Sequence, residues 1–194
     1  MKIVILGAGQ VGSTVAHSLS SEENDITVVD TNSSRLKDLQ DRLDIRGVIG
    51  HASHPTVLVR AGIEDADLVI ALTSSDEVNM TACQVAYTLF HTPTKIARIR
   101  AAEYMTAKTL FTQDAIPVDV RISPEQLVCE YIEQLILYPG ASQVLDFADG
   151  RVRLVGAKAA RVGLLVGQRI ATLKEHSPNT EGRIAAIYRQ GQAV

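Results

Sequence analysis

Gly7, Gly9 and Gly12 stand in the spacing G-x-G-x-x-G, and an acid, Asp30, closes the next apolar run 18 residues later. Those residue types suit one task, gripping a diphosphate and the sugar beside it. The first glycine permits a tight turn, the second lets a pyrophosphate approach the backbone, and the third lets helix and strand pack closely. Amides from about Gln10 through Val11 to Gly12 would face the phosphates, with a helix dipole behind them. Asp30 is placed to accept hydrogen bonds from a ribose diol. A 2′-phosphate would meet like charge there, which favours NAD or an adenosine nucleotide over NADP. The plainer alternative for Asp30 is a solvated acid at a strand end. Arg35, one helical turn further on, either reaches an adenosine or is a surface arginine.

Three more stretches hold chemically useful groups. "TSSDEVN" (73–79) has Ser74 and Glu77 at capping-box spacing, so it is either a well-capped helix start or a ligand loop. Asp76 and Glu77 would repel a phosphate, which assigns the loop to a sugar or base. Arg98 and Arg100 are predicted to point the same way near the end of a strand. A guanidinium there either forks onto a phosphate or carboxylate, or marks the charged outer face of an edge strand. "GHASHP" (50–55) offers two histidines but no third ligand at metal spacing, so no metal is expected. Cys83 and Cys129 lack ligand spacing as well and read as buried thiols of a reducing compartment. No His–carboxylate pair, Tyr-x-x-x-Lys or reactive cysteine setting is recognisable, so no catalytic residue is expected. A small NAD-dependent oxidoreductase with a truncated substrate region is the rival reading.

These residues need a frame. "KIVIL" (2–6), "DITVVD" (25–30), "RGVIG" (46–50), "DLVIALT" (67–73) and "KIARIR" (95–100) are short β-branched runs. Most are continuous, as parallel strands covered on both faces should be. Helical spacing fills the gaps: Val11, Val15, Ala16 and Leu19 share one face, and Val78, Ala82, Val85, Ala86 and Leu89 another. The alternation predicts a Rossmann-like, doubly wound α/β sheet over residues 1–122.

A helix follows over 123–140, with Ser123 as cap, Pro124 in its first turn and Pro139-Gly140 as stop. Its apolar positions 127, 128, 131, 132, 135, 136 and 137 make a stripe too wide for one sheet. A second contacting surface is expected, from the following module or another subunit. Residues 141–194 read as a small α+β module cut short, too poor in apolar mass to be a robust domain. "SQVLDFADGRVRLVG" (142–156) predicts a hairpin turning at Ala148-Asp149-Gly150, with Arg151 and Arg153 on a wet face. "GLLVGQRI" and "GRIAAIYRQ" predict two more strands.

Bulk properties narrow the function. Net charge is −3, which argues against a sequence-independent grip on nucleic acid. With 46% hydrophobic residues but only 4% aromatic and no Trp, aliphatic side chains must fill the core. No apolar run approaches the ~20 residues of a membrane span. "MKIVIL" passes straight into a glycine turn rather than a cleavage site. A soluble cytoplasmic chain is expected.

Together, "MKIVILGAGQVG", "VVD", "GHASHPTVL", "AGIEDADLVIALTSSDEVNMTACQVAYTLF" and "KIARIR" resemble the potassium-transport nucleotide-binding domain, also called RCK or KTN. The likeness is greatest to the regulatory subunit of bacterial Trk-type potassium uptake. It is strong over the first 120 or so residues and weaker in the crossover helix and the "VRLV" strands. Most of the family has an acid where His51 stands. The resemblance implies a domain that binds NAD(H), or ATP/ADP, without catalysis. It implies assembly as a dimer or larger homo-oligomer through this domain and the crossover helix. It also implies a membrane potassium transporter as partner, reached from the cytoplasmic side of the inner membrane, and a longer tandem protein. Carried over position by position, the ligand contacts are Gly7, Ala8, Gly9, Gln10 and Val11, then Asp30, Thr73, Ser74 and Arg98, with Ala52 and Ser53 as weaker candidates.

Overall fold

The computed structural model describes residues 1–20, 22–107, 109–148, 150–159, 166–167 and 183–194. They form two compact units, Met1–Cys129 and Glu130–Val194.

In the first unit, β1 (Lys2–Leu6), β2 (Asp25–Asp30), β3 (Arg46–Ile49), β4 (Leu68–Ala71), β5 (Thr94–Arg98) and β6 (Val120–Ile122) form one sheet. Its order is β3-β2-β1-β4-β5-β6, and every pairing is parallel. Helices α1 (Gln10–Ser20), α2 (Ser33–Gln40), α3 (Pro55–Arg60), α4 (Asp76–Phe90) and α5 (Ala102–Thr106) connect them. This is the Rossmann-like sheet that the alternating runs predict. Strand β6 has no counterpart among the predicted runs. It pairs Arg98 with Ile122, so β5 is an interior strand and the edge-strand reading of Arg98 falls.

Two aliphatic layers cover the sheet because successive residues of a strand face opposite ways. Ile3 and Ile5 pack with Ala16, Leu36 and Leu39 of α1 and α2. Val4 and Leu6 pack with Val57 and Leu58 of α3 and with Ala82, Cys83 and Ala86 of α4. Each such aliphatic side chain, fully buried, stabilises the fold by about 1.5–3 kcal/mol.

The packed side of α4 keeps four residues of the predicted stripe, Ala82 and Ala86 buried and Val78 and Val85 packed against the same layer. Its buried residues are Asp76, Asn79, Met80, Ala82, Cys83 and Ala86, while Leu89 is 56% exposed. Two polar residues therefore lie on the packed side, a placement that apolar periodicity alone does not reveal.

Helix α6 (Pro124–Leu137) begins behind Ser123, whose Oγ accepts the Gln126 amide at 3.4 Å. None of its residues is buried; Leu127, Val128, Ile132, Ile136 and Leu137 are all at least half exposed. In the second unit, β7 (Ala141–Phe147) and β8 (Val152–Ala157) form the antiparallel hairpin expected there, pairing Phe147 with Val152. Arg151 and Arg153 are exposed as expected, and so are Leu145, Phe147, Leu154 and Val155, while Val144 is buried. Asp149 of the turn and most of "GLLVGQRI" lie outside the described residues. Of the second run, β9 (Tyr188–Arg189) pairs with β10 (Gln192–Ala193).

Candidate functional site

The site starts from the glycine turn. Gly7 has φ +108°, a conformation that L side chains rarely adopt, and its amide donates to Val29 O at 2.7 Å. A Cβ on Gly12 would lie 1.9 Å from Gly7 O, so only hydrogen fits where α1 crosses the turn. Gly9 is different. A Cβ there would meet nothing within 4 Å, so the protein's own packing does not require the glycine. What it leaves is bare backbone open to a close-approaching group. Beyond it, the amides of Gln10, Val11 and Gly12 belong to a first helical turn that has no carbonyls of its own to satisfy them. Ser13 N already donates to Gly9 O.

Asp30 braces this turn from the end of β2. Its Oδ2 accepts the Ala8 amide at 2.6 Å and its Oδ1 the Asn32 amide at 2.7 Å. Each carboxylate oxygen has a second lone pair, so further acceptance remains open. The Ala8 amide, by contrast, is already used.

The strand order reverses between β1 and β4, and a crevice of about 400 Å³ opens there at the carboxyl ends of the strands. Its size suits a small ligand. Gly7, Gly9, Gln10, Val11, Asp30, Ala52, Thr73, Ser74 and Arg98 line it, so five separate predicted stretches converge. Ala8, Gly12 and Ser53 are not among its lining residues. Arg35 and His51 are, and His51 Nδ1 lies 3.1 Å from Ser53 Oγ while its ring stacks on His54 at 4.9 Å. A broader depression of about 550 Å³ lies among Glu23, Asp25, Asp44 and Arg46, and none of the predicted site residues line it.

On the far wall two polar residues hold the loops in place, Asn79, which the sequence did not single out, and Asp76, which it marked only for its charge. Asn79 is fully buried; its Oδ1 accepts from Thr73 N at 2.9 Å and Thr73 Oγ1 at 2.7 Å. Its Nδ2 donates to Arg98 O at 2.9 Å, which ties the end of β5 to the loop after β4. Asp76 is buried too, and its Oδ2 accepts the Arg100 and Ala101 amides at 2.8 Å each. Neither Asp76 nor Glu77 lines the crevice, though Thr73, Ser74 and Ser75 of the same loop do. The capping assignment moves as well: Ser75, not Ser74, caps α4, its Oγ accepting Val78 N at 3.2 Å. Glu77 accepts from Ser75 Oγ at 2.7 Å, which holds its carboxyl below the usual range.

Arg98 and Arg100 part company because the strand ends at Arg98. The Arg100 guanidinium turns back to Ser74 O and Asp76. Arg98 stays at the crevice and pairs with Glu125 in the first turn of α6. The Glu125 carboxyl is held below its ordinary value chiefly by its own backbone amide, against the opposing effect of burial, with the Arg98 guanidinium adding to the lowering.

The thiols split. Cys83 is buried, and burial pushes its thiol up to about 12, whereas Cys129 is exposed, contrary to expectation. Among the described residues no group of three or more His, Cys, Asp and Glu could hold a metal ion.

Residues 3–124 match the sequence family described as the TrkA-N domain. The chain belongs to that family. This TrkA-N chain is 59% identical over its whole length to the "Trk system potassium uptake protein TrkA" of Halomonas elongata, and 57% to that of Vibrio alginolyticus. It spans 42% and 43% of those proteins. The TrkA-N domain of the Escherichia coli inner membrane protein ybaL superposes with TM-score 0.60 at 20% identity, covering 71% of this chain and 96% of that one. The GsuK channel bound to NAD does so with TM-score 0.58 at 21% identity, covering 76% and 25%. These likenesses establish the TrkA-N fold. Among the described residues, no helix of this TrkA-N chain is long and apolar enough to cross a membrane.

Proposed function

We propose that this chain is a nucleotide-binding regulatory module of a Trk-type potassium-uptake system. It binds NAD(H) or an adenine nucleotide such as ADP or ATP and does not transform it. One observation carries the reading: a crevice at the strand-order reversal is ringed by an open glycine turn, an acid and an arginine. The open space at Gly9 and the unpaired first-turn amides suit a diphosphate. Asp30 would receive the ribose hydroxyls, and Thr73, Ser74 and Ala52 would line the remaining wall. Ala8 would act indirectly, by fixing Asp30.

Names of relatives support the biological setting. Proteins similar over the whole of this chain are potassium-uptake proteins, and a channel of the same fold was solved with NAD. The partner would be a membrane potassium transporter approached from the cytoplasmic side. The exposed apolar face of α6 favours a homo-oligomer, and residues 141–194 would be the start of a C-terminal module. A ligand can bias such an assembly only through unequal affinity for its arrangements.

Calorimetry with NADH, NAD, ADP and ATP tests the reading, with saturable binding expected. Mixing the protein with NADH and a panel of carbonyl compounds, then following absorbance, tests the rival. Absence of binding overturns the proposal, and turnover replaces it with an oxidoreductase.

A further inference from the structure

The Arg98–Glu125 pair has a consequence for which ligands the crevice accepts. Arg98 is held on β5, its side chain 16% exposed, and it lines the crevice. Glu125 sits at the start of α6 and its side chain is 53% exposed, so it can swing to water at little cost. The contact uses one nitrogen, Nη2, while the buried Nε has no acceptor. A guanidinium gripped at one point by a carboxylate is open to an anion that can fork onto it.

We propose that Glu125 is a specificity-determining residue. It is a built-in carboxylate that competes for Arg98, so the crevice favours ligands with enough negative charge to displace it. This rests on the nucleotide reading above and adds to it a charge threshold. A nucleoside without phosphate gains nothing from Arg98 and leaves the pair intact. A nucleoside diphosphate takes over the guanidinium and frees the first turn of α6.

Calorimetry on the 194-residue chain with ADP and with adenosine tests this, using wild type, Glu125→Gln, Arg98→Ala and the double variant. Glu125→Gln should bind ADP about two- to fivefold more tightly, the scale of a partly exposed ion pair, and adenosine unchanged. In the Arg98→Ala background the Glu125→Gln change should have no effect on ADP. Unchanged or weaker ADP binding by Glu125→Gln overturns the competition, as does an equal gain for adenosine. If wild type binds ADP and only these differences fail, the competitor is wrong and the nucleotide site stands. If no variant binds ADP, both fall.

Discussion

Asp30 Oδ2 accepts the Ala8 amide at 2.6 Å, so the acid expected to clasp a sugar also clamps the glycine turn onto β2. Replacing it removes two backbone contacts along with any ligand contact. Asp30→Ala should weaken ADP binding by about 1–2 kcal/mol, the scale of a lost hydrogen bond to a charged group. It should also lower unfolding stability, measured by urea titration. Full stability with weakened binding would detach the clamp from the fold; full affinity would remove Asp30 from the site.

Gly9 and Gly12 should separate binding from folding. Gly12→Ala forces a methyl to 1.9 Å from Gly7 O, and overpacking of this kind costs about 1–3 kcal/mol. Gly9→Ala meets no protein atom within 4 Å, so its stability should stay within about 0.5 kcal/mol of wild type. Its affinity for ADP should nevertheless fall about tenfold or more, because the methyl fills the approach to the first-turn amides. Thermal unfolding and calorimetry on both variants check this. A Gly9→Ala protein that binds normally would put the diphosphate elsewhere.

Asn79→Ala should damage the far wall. It leaves the Thr73 amide without its buried partner and frees the Arg98 carbonyl, at about 1–3 kcal/mol for each group left unsatisfied. In a chain of this size each kcal/mol shifts Tm by roughly 2–4 °C. A melting temperature within a degree of wild type would show that water replaces the amide.

The thiols should react unequally. In the folded protein a disulfide reagent should modify exposed Cys129 quickly and leave Cys83 untouched, since its thiol is buried and pushed up to about 12. Denaturant should expose the second thiol. Cys129→Ser should abolish the fast phase; rapid modification in that variant would show that the α4 layer opens readily.

Much of the frame was legible because buried parallel strands write themselves as continuous aliphatic runs. Strand β6 was not, since "VRI" is too short to stand out and gains its status only by pairing with β5. The glycine turn and Asp30 declared themselves by spacing. The buried roles of Asn79 and Asp76 did not, because a polar residue at a helix start shows its charge but not its partners until its neighbours are known. A signal existed: both fall on the same helical side as Ala82, Cys83 and Ala86, where a polar residue needs a partner. Arg98 and Arg100 looked equivalent by strand alternation, but alternation stops with the strand at Arg98. Glu125 lies 27 residues from Arg98, and only the fold brings them together.

The central claim is that the crevice at the strand reversal holds a nucleotide. Its most direct test is a crystal structure of the chain grown with ADP. The diphosphate should lie against the amides of Gln10 to Gly12, with the ribose at Asp30 and the guanidinium of Arg98 turned from Glu125 to phosphate. A nucleotide bound elsewhere, or the crevice filled by the chain's own side chains under saturating ADP, would contradict it.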